Sequence, residues 1–196
     1  MTDTHLSEPV RTVDGHVVPA AGVWQIDPGH ADLAFTGRHF LVTKVRGRFT
    51  GVEGAIHVAP RMTDSTVRVT IDMASVESGN TVRDAHLRSA ELFDVERYPT
   101  ATFVSTDISW HGNRGTVTGN LSLYGVTRSV ELEVTYERHV WDASGADRAV
   151  FSARTTRDPE GFGFHWKKAF GSAGQLVSNK VHIEMRLETM LCADLS

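Results

Sequence analysis

With 196 residues, 40% hydrophobic and 22% charged, the chain has the size and composition of one well-buried domain. A net charge of -4 excludes a broad basic surface for nucleic acid, and no apolar run approaches the roughly 18 residues of a membrane-spanning helix. The single cysteine, Cys192, excludes an intrachain disulfide.

Met1 to Val10 shows neither the basic start nor the apolar stretch of a secretory signal, so a cytoplasmic protein is expected. Residues 1 to about 20 are polar, contain Pro9 and Pro19 and lack sustained periodicity. They predict a flexible N-terminal arm over 1–20, with at most one short strand near Val17. From Trp24 onward the pattern has period two. Strands are expected near 32–38 and 44–58, after the turn signal Asp27-Pro28-Gly29. Val67, Val69, Ile71 and Met73 then alternate with polar residues. Next comes the one convincing helical stretch, Val82 to Pro99. Thr81 and Asp84 resemble a capping box that satisfies free amides of its first turn. Pro99 forces an extended Tyr98 and opens a strand.

Further strands are expected near 101–110, 115–124 and 149–156, divided by His111-Gly112-Asn113, Tyr124-Gly125 and Ala143-Ser144-Gly145. Val130, Leu132, Val134 and Tyr136 alternate, as do Val181, Ile183, Met185 and Leu187. About eight such strands predict an all-β, antiparallel closed barrel or sandwich with one short helical insert. A closed barrel has no exposed strand edges. The helical break in the pattern marks the end where ligand entry or chemistry is expected.

Particular residues resemble a known family. Trp24-Gln-Ile-Asp27, His30, Phe35, Arg38-His39 and Val45-Arg-Gly-Arg-Phe49 are similar to the opening of the YceI-like, polyisoprenoid-binding family. Arg83-Asp84-Ala-His86-Leu87, Phe93-Asp94, Tyr98-Pro99 and Thr102-Phe103 resemble its central block, and Gly119-Asn-Leu121 with Gly125-Val126-Thr127 its later hairpin. The resemblance spans about residues 22 to 189. It implies an eight-stranded, lipocalin-like antiparallel barrel, here over 21–190, followed by a C-terminal tail over 191–196. It also implies an elongated apolar cavity for a polyisoprenoid chain. The chain departs from the family in lacking an export signal. Its Arg157-Asp158-Pro-Glu-Gly161-Phe162 stretch also carries an insertion and added aromatics.

A lipid pocket needs an apolar lining with a few polar anchors. Phe35, Phe49, Leu87, Phe93, Phe103, Phe162, Phe164 and Trp166 are the expected lining, and the alternative is that the same residues simply fill the barrel. Lys44, Arg46 and Arg48 share one strand face opposite Val45, Gly47 and Phe49, so they read as an outer solvated stripe. Arg83 and His86, near the start of the helix, are the expected head-group contacts, and the alternative is that Arg83 and Asp84 only pin the helix onto the barrel. His39 is expected at the site as a partly buried histidine. The histidines lack metal-ligand spacing, and no catalytic motif appears.

The expected function is non-catalytic binding, carriage or storage of an isoprenoid lipid of the prenyl phosphate or isoprenoid quinone type. A bound polyisoprenoid is expected, with no other cofactor and no metal. The apolar chain leaves water while the head group stays near the helix-bearing mouth. Transient membrane contact and a homodimer are further expectations. The alternatives are an isoprenoid-modifying enzyme in the same cavity and a ligand-free structural or partner-binding barrel.

Overall fold

The structure, a computed structural model, describes residues 9–39, 43–141, 146–157, 159–162 and 181–192. Twelve strands are present among them. They are β1 (Val10–Val13), β2 (His16–Pro19), β3 (Gly22–His39), β4 (Thr43–Phe49), β5 (Val52–Val58), β6 (Thr66–Asp72) and β7 (Val76–Glu77), then β8 (Thr100–His111), β9 (Arg114–Leu123), β10 (Val126–Trp141), β11 (Asp147–Arg157) and β12 (Val181–Leu191). One α-helix, α1 (Thr81–Arg88), lies between β7 and β8.

All main-sheet pairings are antiparallel. The sheet closes because β12 pairs with β3. β4 and β5 are two halves of one barrel strand, broken at Thr50-Gly51, and β6 and β7 are halves of the next, separated by a 3-10 turn over Met73–Ser75. The two breaks hold each other: Asp72 N donates to Gly51 O (2.8 Å) and Thr50 N to Ser75 O (3.4 Å). A Cβ on Gly51 would stand 2.8 Å from Cβ of Asp72, so this approach requires glycine. Counted this way, eight strands form a closed antiparallel barrel with extra strands and one short helix, the barrel that the family resemblance implies and one of the two architectures that the alternating pattern allows.

Three local expectations differ. The turn signal Asp27-Pro28-Gly29 lies inside β3, an 18-residue strand. Pairing with β12 jumps there from Ala31↔Leu187 to Ile26↔Thr189, so the segment bulges and bends the strand rather than ending it. Residues 9–20 of the expected flexible arm form the β1–β2 hairpin, whose Val18 is buried. Asp14 (φ 49°) and Gly15 (φ 79°) turn it, the left-handed pair that suits a tight two-residue loop. The helix is also shorter than its sequence signal. It ends at Arg88, and the turns that follow carry Leu92 and Phe93 into the barrel, where both are buried.

The helix cap is displaced by one residue. Asn80 is the N-cap, with its side-chain oxygen accepting from Arg83 N (3.0 Å), and Thr81 is the first helical residue. Asp84 does not complete a capping box. Its Oδ1 accepts from both the backbone N–H (2.8 Å) and the hydroxyl of Ser78. Asn80 thus satisfies that free amide, and the buried Asp84 carboxylate holds the approach to the helix.

Candidate functional site: an apolar lumen

Inward-facing residues of alternating strands build a cavity along the barrel. Val69 and Ile71 of β6, Leu121 and Leu123 of β9, and Val130 and Leu132 of β10 line its walls. Val181, Ile183, Met185 and Leu187 of β12 line it too. The space open to the centre of a water molecule is about 200 Å³. One water needs roughly 10–15 Å³ by that measure, and an apolar cavity offers it no partners. A void of this size and chemistry therefore suits an apolar guest better than solvent.

The two ends differ. At one, β1–β2 packs Val18 and Ala20 against Trp24, Ile56, Val58 and Met62, with Tyr136 and Phe151 in the same cluster. The Trp24 indole donates to Ala20 O (3.0 Å). Arg11 donates to Pro19 O (3.2 Å), Ala59 O (2.6 Å) and Pro60 O (2.5 Å), which ties the hairpin to the barrel rim. Tyr136 Oη is buried and, among the described residues, has no hydrogen-bond partner. Burial pushes its pKa up to about 12.

At the other end stand α1 and three aromatic rings. Phe35 and Phe49 lie 5.5 Å apart between centroids, and Phe93 meets them at 6.3 and 5.7 Å. All three line the cavity, as do Phe103 and Phe162, so five expected lining residues converge there. Leu87 is buried in the same core beneath the helix but does not line the cavity, because its face of α1 packs on the barrel wall. Phe164, Trp166 and the side chain of His39 lie outside the described residues.

The polar residues of the helix have protein partners. Arg83 gives Nε to Ser78 Oγ and Nη2 to Ser78 O, both at 2.7 Å. His86 Nε2 is 3.1 Å from Glu91 Oε2 at the surface. Arg88 donates to Ala74 O and Val76 O at 2.7 Å, fastening the helix to the β6–β7 break. Arg46 and Arg48 face outward, Arg48 pairing with Glu77, while Gly47 and Phe49 face in. The side chain of Lys44 is outside the described set. The lining residues that the sequence reading missed include Met62, Trp110 and Phe151. A bulge at Thr106 in β8 switches the inward positions from Ala101 and Phe103 to Ile108 and Trp110, which breaks the alternation that would have revealed Trp110.

A second polar cluster lies on the outer surface at the β3 bulge. Arg148 Nη1 donates to Asp27 Oδ2 at 2.5 Å, and His30 Nδ1 is 2.8 Å from the same oxygen. The Arg148 hydrogen bond, opposed by partial burial, holds the Asp27 carboxyl below the usual range. Among the described residues, no group of three or more His, Cys, Asp or Glu side chains is placed to hold a metal ion.

A closed antiparallel barrel around an apolar lumen defines the class: a lipocalin-like barrel able to hold a lipophilic ligand. The chain belongs to the YceI-like domain family, which matches residues 24–189. A UPF0312 protein of Pseudomonas aeruginosa is 33% identical over 156 residues, 79% of this chain and 81% of that one. A UPF0312 protein of Vibrio cholerae is 31% identical over 157 residues, again 79% and 81%. Burkholderia cenocepacia BcnA shares the fold with a TM-score of 0.72 at 22% identity, over 83% of this chain and 98% of that one. A polyisoprenoid binding domain from Saccharophagus degradans shares it with a TM-score of 0.66 at 17% identity, over 86% and 98%.

Proposed function

We propose that this barrel binds an isoprenoid lipid, of the prenyl phosphate or isoprenoid quinone type, and carries or stores it without chemical change. The observation that carries this reading is the lumen. Its walls are apolar from the Phe35–Phe49–Phe93 cluster to Phe151, and its few hydroxyls include Ser65, which is occupied by Ala59 N (3.0 Å). Each CH₂ removed from water there contributes roughly 0.8 kcal/mol, so a long chain supplies ample driving force and needs no polar anchor along its length. The description of the Saccharophagus degradans domain as polyisoprenoid binding supports the choice of chain.

The chain enters at the helix end. The opposite end is covered by a hairpin that Arg11 ties to the rim, whereas α1 exposes Val82 and is held by buried Leu87 and the side-chain bonds of Arg88. A head group therefore stays near α1. Incubation with a prenyl phosphate and with an isoprenoid quinone, followed by extraction and mass spectrometry, tests this reading. Recovery of either compound bound and unaltered supports it. Recovery of a modified product selects an isoprenoid-modifying enzyme, and uptake of neither selects a ligand-free barrel.

A further inference from the structure

Three aromatic residues of the lumen share one arrangement. Phe35 lies directly opposite Gly47 on β4, and a Cβ built there would meet the Phe35 ring, with Cε1 at 2.8 Å. The Phe103 ring lies over Gly119 of β9, with Cε2 2.6 Å from the equivalent point, and Trp110 lies opposite Gly115, with Cε3 at 2.6 Å. In each pair the missing methyl is where the ring rests. The rings lie against the wall and line the cavity. Gly119 and Gly115 also approach backbone oxygens, of Val104 and Ser109, so their glycines serve the strand as well. At Gly47 the three nearest atoms all belong to the Phe35 ring. Its backbone has no left-handed φ, so alanine meets no backbone strain there.

We infer that Gly47 is a specificity-determining residue that sets the bore of the cavity by letting Phe35 lie against the wall, so that a methyl-branched chain can pass. This rests on the isoprenoid-carrier reading. A methyl at position 47 moves the ring inward, toward the part of the cavity that Phe35 lines with Phe49 and Phe93. A straight alkyl chain still fits a narrower bore, whereas the side methyls of an isoprenoid collide with it. The selection is one of chain cross-section and is separate from any head-group contact.

The test uses delipidated protein and two neutral primary alcohols, geranylgeraniol and hexadecanol, which share a hydroxyl head group and differ in the methyl branches and in the double bonds that carry them. Gly47→Ala is expected to weaken geranylgeraniol binding about tenfold relative to hexadecanol, within the range that overpacking costs. Adding Phe35→Leu to that variant is expected to restore the ratio. An unmoved ratio in Gly47→Ala overturns the inference, and so does a double variant that fails to recover it. If Gly47→Ala does not fold, Phe35→Leu alone decides. A ratio moved toward geranylgeraniol supports the inference and an unmoved one overturns it. A parent that takes up neither alcohol overturns both this inference and the carrier reading, whereas parent uptake of both with unmoved variants overturns this inference alone.

Discussion

The hairpin end and the helix end of the barrel are built by different means. At the hairpin end Trp24 and Val18 are almost wholly buried, and Arg11 binds three backbone oxygens across the rim. There Val18, Ala20 and Trp24 pack behind the lumen, whose wall Ile56, Val58, Met62 and Phe151 continue to form, and substitution of the packed residues acts on stability. At the helix end the Phe35, Phe49 and Phe93 rings face a cavity, and Arg83 and Arg88 of α1 bond to the chain that leads into the helix. Rings that touch empty space on one side forgo part of their dispersion contacts until a guest supplies them. The two ends of one sheet are thus covered by different elements, and on the carrier reading substitutions at the two ends should differ in what they disturb.

Phe103→Asp should have the largest effect, because a carboxylate in the lumen must lose its hydration or take up a proton. Lipid content of the folded variant is expected to fall to background in extracts analysed by mass spectrometry, and parental content would break the assignment of the lumen. Trp24→Ala should act on the other property. Loss of a fully buried indole costs about 3–5 kcal/mol, read as a lowered midpoint in chemical denaturation. Arg83→Ala should cost about 1–3 kcal/mol, since two groups of Ser78 lose their charged donor. Titration with a prenyl phosphate and its alcohol sharpens the comparison. Equal affinity losses leave Arg83 as a prop of the mouth, and a loss confined to the phosphate puts its guanidinium on the head group.

Tyr136 offers a pH test of the hairpin end. Its folded pKa, about 12, lies above the ordinary value of 10.0. A raised value means that the unfolded chain releases the proton first. Stability is therefore intact below pH 10 and declines between 10 and 12. Tyr136→Phe is expected to remove that part of the alkaline decline, measured by denaturation across the range. Identical alkaline profiles would contradict burial of the hydroxyl. The smallest effect belongs to Val82→Ser on the exposed face of α1, which should change stability by less than about 0.5 kcal/mol.

The barrel wall was legible in the sequence because a half-buried strand records its inward face every second residue. Val67, Val69 and Ile71 of β6 and the alternating positions of β12 all line the lumen. Where strands bulge, that record breaks, which hid Trp110 beyond Thr106 and made Asp27-Pro28-Gly29 look like a strand end. The hairpin had left a signal in Asp14-Gly15, a dipeptide suited to a tight turn, but its strands are only four residues long and too short to show a period. The site was half legible. Aromatic lining follows from hydrophobicity, whereas the pairing of Arg83 with Ser78 depends on how the chain enters α1, which no residue type specifies. The opposition of Phe35 to Gly47 likewise depends on register between strands.

Solvent extraction of the purified, untreated protein, with mass spectrometry of the extract and of the intact complex, tests the central claim most directly. An isoprenoid carrier gives a complex heavier than the chain by the mass of one polyisoprenoid lipid, with that lipid in the extract and little of it in extracts of Phe103→Asp. A chain that retains no lipid, or one whose bound lipid survives Phe103→Asp undiminished, would contradict it.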